Sequence, residues 1–108
     1  MTADGAAPTR RPNQDDEELG ELRERISQVD DQLIRLLDER RRLVLEVGRR
    51  KASMGLPVLD PGREAAVVRK VAVKARELGV DEELVRDVIW RIIAAARAEQ
   101  ENRPLGWP

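Results

Sequence analysis

From Glu18 to Ser53 apolar side chains return every three or four residues: Leu22, Ile26, Val29, Leu33, Leu36, Leu37, Leu43, Val44 and Val47. That period marks one face of an α-helix; no proline interrupts it, and Gly48 is a weak spot. At ~1.5 Å per residue the predicted helix runs roughly 50 Å, more than a domain of this size can wrap around alone. A partner is expected along it. Arg40 and Lys51 continue the apolar stripe, since Val47 and Lys51 lie seven and eleven residues beyond Arg40, close to whole turns at ~100° per residue. Two cations therefore point towards the side expected to be buried. Arg23, seventeen residues before Arg40, is rotated from it by about a quarter turn and should address a different neighbour.

Met54-Gly55-Leu56-Pro57 closes this helix, with Gly55 as a left-handed cap and Pro57 as a stop. Asp60-Pro61 opens a second, which carries Ala65, Val67, Val68, Val71, Ala72 and Ala75 before Leu78-Gly79 ends it. Asp81, followed by Glu82 and Glu83, caps a third. Its stripe of Leu84, Val85, Val88, Ile89, Ile92, Ile93 and Ala96 should end near Asn102, ahead of Pro104. There is no strand pattern and no internal repeat. The expected fold class is all-α, three helices with a long first helix. Residues 1–16, rich in Gly, Pro and charge without periodicity, read as a disordered N-terminal tail, 17–103 as the helical domain, and 104–108 as a short tail containing Trp107.

A chain of 108 residues is one small domain, and it buries a limited core unless it oligomerises. Its 20 Lys+Arg against 21 Asp+Glu leave a net charge of -1, which argues against a nucleic-acid or acidic-membrane partner. Cys and His are both absent, which excludes thiol nucleophiles, disulfides, zinc sites with Cys or His ligands and imidazole acid–base chemistry. No apolar run approaches the ~18 residues of a membrane span, and the N-terminus lacks the apolar core of a signal peptide. A cytoplasmic protein is expected.

The inward-facing and helix-end polar residues form the set Arg23, Arg40, Lys51, Asp60, Arg63, Glu64 and Gln100. Each has a plain reading on its own. Arg40 and Lys51 suit a coiled-coil flank, Asp60 a helix cap, Glu64 a first-turn charge and Gln100 a solvated helix end. Trp90 suits the core or a dimer contact. Together, in the stretches Leu22-Arg23-Glu24-Arg25-Ile26-Ser27, Asp38-Glu39-Arg40-Arg41-Arg42-Leu43, Glu46-Val47-Gly48-Arg49-Arg50-Lys51, Pro57 to Glu64 and Ile92-Ile93 leading to Gln100, they carry a stronger signal. The chain from Leu22 to Gln100 resembles the small all-helical chorismate mutases.

That resemblance implies an interlocked homodimer whose long first helices pack together and whose two sites each borrow one arginine from the other chain. Arg23 corresponds to the borrowed residue and Arg40 to the one supplied with the rest of the site; the two would hold the carboxylates of the dianionic substrate, chorismate. Lys51 and Gln100 would sit at the ether oxygen, and Glu64 with the Asp60 backbone at the ring hydroxyl. Arg63 would line the site, with Val47 and Ile93 as apolar wall. The implied reaction is the concerted [3,3] rearrangement of chorismate to prephenate, feeding phenylalanine and tyrosine synthesis, and it requires no cofactor or metal. Two positions depart from the family pattern. Ala96 stands where many relatives carry a carboxylate-binding Ser, and Arg97 where a small apolar residue is usual. Because Ile93, Arg97 and Gln100 fall at i, i+4 and i+7, Arg97 is a candidate replacement for that carboxylate ligand. The alternatives are an isochorismate pyruvate-lyase, a mutase for 4-amino-4-deoxychorismate, and a non-catalytic helical module docking a shikimate-pathway synthase through Leu105 to Pro108.

Overall fold

A computed structural model describes residues 12–101 as three α-helices: α1 (Pro12–Ser53), α2 (Pro61–Leu78) and α3 (Glu82–Gln100). The remainder of the N-terminal tail, Asn102 and the 104–108 tail with Trp107 lie outside the described residues. α1 begins at Pro12, ahead of the Glu18 from which the apolar period was read. Proline is tolerated there since a first-turn N–H has no helical partner to lose. Asp15 in the first turn and Arg50 and Lys51 in the last match the helix dipole. No described helix is long and apolar enough to cross a membrane.

The chain divides into two compact units, one ending at Glu39 and one beginning at Arg40, and α1 contributes to both. In the first unit the apolar positions are uncovered, with exposures running from 44% at Leu19 to 68% at Ile34. Leu22, Ile26, Val29 and Leu33 are all more than half exposed.

The second unit holds the last turns of α1 together with α2 and α3. The loop after α1 closes tightly: the Leu56 N–H donates to the Lys51 carbonyl at 2.8 Å, and Gly55 takes φ 72°, a value that L side chains avoid. Asp60 caps α2 by accepting from the Arg63 N–H at 3.0 Å, with Pro61 at the first helical position. Gly79, at φ 69°, ends α2, and Val80 donates back to Ala75 at 2.9 Å. Asp81 then caps α3 through the N–H groups of Glu83 and Leu84. This short turn folds α3 back onto α2. The buried side chains are Val68, Ala72 and Ala75 on α2 and Ile93 and Ala98 on α3. Three of them are alanines, which let backbones approach closely but bury little; burial of Val68 and Ile93 stabilises by about 1.5–3 kcal/mol each.

Candidate active site

The C-terminal segment of α1 lays out one edge of the site. Arg40, Val44 and Lys51 are half-buried, Gly48 is buried, and Val47 is 51% exposed. At Gly48 the side chain of Gln100 on α3 reaches the helix. A Cβ at this position would lie 3.1 Å from Gln100 Nε2 and 3.6 Å from Val58 Cγ1. The open space lets the Gln100 amide reach the helix backbone, where Nε2 donates to the Val44 carbonyl at 3.2 Å. A carbonyl only accepts, so the amide presents its nitrogen here, and this bond uses one of the two Nε2 hydrogens. Lys51 follows Gly48 by one turn.

The turn after α1 places the start of α2 beside that lysine. Lys51 Nζ lies 3.6 Å from Asp60 Oδ2, while Oδ1 of the same carboxylate holds the cap of α2. The Asp60 carbonyl accepts from the Glu64 N–H at 3.0 Å, which fixes the first turn. Arg63 projects into solvent from that turn. Glu64 turns the other way, towards α3, where its carboxylate meets the Arg97 guanidinium in two contacts. Nε lies 3.3 Å from Oε2, and Nη2 lies 2.5 Å from Oε1. Ile93, buried at 6% exposure, sits one turn before Arg97. Arg41 Nη2 meets Glu99 Oε1 at 2.6 Å, tying the last turn of α3 to α1 next to Gln100.

Arg40, Lys51, Arg63 and Arg97 outnumber Asp60 and Glu64 by two positive charges in this unit. Among the described residues no acid lies within ion-pair distance of Arg40 or Arg63. A surplus of half-buried and rim cations suits an anion with two carboxylates. Arg23 belongs to the first unit, where it is exposed on α1.

The structure thus joins Lys51 to Asp60, Glu64 to Arg97, and Gln100 to the backbone of α1 at Gly48. Among the described residues it gives no side-chain ion pair from Arg40 or Arg63 to these groups, and Arg63 meets Asp60 through its backbone N–H alone. Sequence reasoning missed the Val44 carbonyl, Val58 and the Arg41–Glu99 tie. It noted Gly48 only as a defect, although a glycine inside a regular helix can mark a close approach; Gly20, the other glycine of α1, has open space around it.

The sequence profile of the family described as chorismate mutase type II matches residues 22–101. That span contains Arg23, Gln100 and every other site residue named above. The chain belongs to the type II chorismate mutase family. Its relatives in the family include the T-protein of Enterobacter agglomerans, 37% identical over 86 residues that make up 80% of this chain and 23% of the relative. The T-protein of Haemophilus influenzae is 34% identical over the same share of each. The chorismate mutase of Methanocaldococcus jannaschii is 29% identical over 80% of this chain and 87% of its own length. The chain therefore spans about a quarter of the T-proteins and nearly all of the archaeal family member. No solved structure gives a significant match.

Proposed function

We propose that the protein is a chorismate mutase, an isomerase converting chorismate to prephenate, and that it acts as a homodimer with two sites shared between chains. The observation that carries the reading is the contact of the Gln100 side chain with α1 beside Gly48. There a neutral amide donor, Gln100, is held against the helix backbone one turn from the cation Lys51. In the rearrangement the C–O bond of the enolpyruvyl ether breaks while its methylene carbon bonds to the ring carbon bearing the carboxylate. No proton, electron or group leaves. The catalyst must hold the dianion in a compact conformer and stabilise the negative charge growing on the ether oxygen. Arg40 and the partner subunit's Arg23 would clamp the carboxylates, which is the positioning contribution. Lys51 and the second hydrogen of Gln100 would face the ether oxygen, which is the electrostatic contribution. Glu64 and the Asp60 backbone would receive the ring hydroxyl, Arg63 would line the mouth, and Val47 and Ile93 would supply apolar wall.

The dimer is supported by the uncovered apolar face of the first unit, whose row from Leu19 to Leu37 has no cover within its own unit. A second copy presents the same face and satisfies a two-fold, self-complementary contact. The absence of Cys and His fits a reaction that needs neither nucleophile nor imidazole. We place the enzyme in the cytoplasm, feeding phenylalanine and tyrosine synthesis. The test is turnover of chorismate by the purified protein, with products separated by chromatography. Prephenate formation that falls by roughly 10²–10³ in Lys51→Ala is expected for loss of one preorganised charge donor. A folded protein that forms pyruvate and salicylate from isochorismate instead would refute the reading.

A further inference from the structure

The Arg97–Glu64 pair lies at the end of the site that the proposed function assigns to the ring substituent. We infer that Arg97 is a positioning residue that sets substrate choice: by neutralising Glu64 it selects a ring hydroxyl over a ring ammonium. The inference rests on the proposed function, through the placement of Glu64 at that substituent. Its own support is the geometry of the pair. Glu64 in the first turn of α2 and Arg97 near the end of α3 meet through Nε–Oε2 at 3.3 Å and Nη2–Oε1 at 2.5 Å. Their side chains are only 18% and 37% exposed, so solvent screens the pair incompletely.

A carboxylate offers about four lone-pair directions, of which the guanidinium occupies two. The remaining two can still accept an O–H, a bond that does not require a full negative charge. An ammonium is treated differently. A lone Glu64 would attract it with a full negative charge, whereas the pair presents almost no net charge and sets the Arg97 cation against the same carboxylate, where like charges still repel in a partly buried setting. Arg97 thereby removes the advantage that Glu64 would otherwise give an amine. It also explains how a large cation is tolerated on the apolar flank of Ile93, since its charge is spent on Glu64. This use of Arg97 is different from direct binding of a substrate carboxylate, for which its two contacting nitrogens are already committed.

The experiment compares kcat/KM for chorismate and 4-amino-4-deoxychorismate in the wild-type dimer, Arg97→Gln and Glu64→Gln, with melting curves for each. The wild type should prefer chorismate. Arg97→Gln, which frees the Glu64 charge, should shift the ratio about tenfold towards the amine, the size of an ion–ion effect discounted for partial exposure. Glu64→Gln, which frees the Arg97 charge, should shift it in the opposite direction. A general loosening of the fold would move both substrates together and leave the ratio unchanged. Normal chorismate turnover with one ratio in all three proteins would overturn this inference alone. Turnover of neither substrate by the folded wild type would overturn the proposed function and this inference with it.

Discussion

Replacing Gly48 by Ala separates stability from catalysis. In a helix interior the exchange stabilises by about 1 kcal/mol, because alanine loses less backbone freedom on folding. Here the added Cβ would lie 3.1 Å from Gln100 Nε2 and 3.6 Å from Val58 Cγ1. Carbon contacts settle at about 3.5–4.0 Å, so the amide must withdraw by several tenths of an ångström. Withdrawal weakens its bond to the Val44 carbonyl, now 3.2 Å, and a bond of that kind contributes about 1 kcal/mol net. Gain and loss nearly cancel, so the melting temperature should stay within about 5 °C of the wild type. The amide that the proposed function aims at the ether oxygen is displaced all the same. Complete removal of such a donor costs roughly 10²–10³ in rate, and a sub-ångström misplacement should cost about tenfold in kcat. Steady-state kinetics on chorismate and a circular-dichroism melt measure both. The double variant with Gln100→Ala provides the decisive comparison, because two residues acting through one contact are not additive. Unchanged kcat in Gly48→Ala, or a double variant slower than Gln100→Ala by the full Gly48 factor, would refute the role given to this glycine.

Two further outcomes follow from other parts of the chain. Glu82 bonds Arg76 at the end of α2 and Arg86 on α3, and these guanidinium groups, Arg76 first, hold its carboxyl below the usual carboxylate range. Its stabilising contribution is complete above the unfolded value of about 4.3 and disappears as pH falls through the lower folded value. The melting temperature of Glu82→Gln should therefore drop less than that of the wild type between neutral and strongly acidic pH, with the difference shrinking in high salt, as expected for an exposed pair. Leu33→Asp places a charge in the uncovered face of α1, where Leu33 is 55% exposed. Sedimentation should show loss of the dimer together with loss of activity, and an active, unaltered dimer would mean that this face is not the contact.

The helices were legible because their punctuation is local. Asp60-Pro61, Leu78-Gly79 and Asp81 each act through neighbours no more than five residues away, and the structure uses all three as caps or stops. α1 starts several residues ahead of its apolar period, because Pro12 and the acids after it suit a first helical turn as well as a tail. Periodicity placed Arg40 and Lys51 on a half-buried face, and the i, i+4, i+7 series placed Arg97 beside Gln100 and Ile93. What periodicity could not supply was the partner of each group. Glu64 and Arg97 are 33 residues apart, and the Gln100 amide reaches a carbonyl 56 residues away. Those meetings depend on how α2 and α3 pack, and they decide which charges remain available to a substrate.

The central claim is that one chain's Arg40, Lys51 and Gln100 work with the partner subunit's Arg23 on chorismate. The direct measurement mixes the Arg23→Ala and Arg40→Ala proteins, each inactive alone, after subunit exchange has been confirmed. In a two-fold dimer half of the molecules become heterodimers with one intact site each, so the account predicts recovery of about a quarter of wild-type activity. If both arginines came from the same chain, no heterodimer site would be intact. A mixture that exchanges subunits and stays inactive would contradict the shared site.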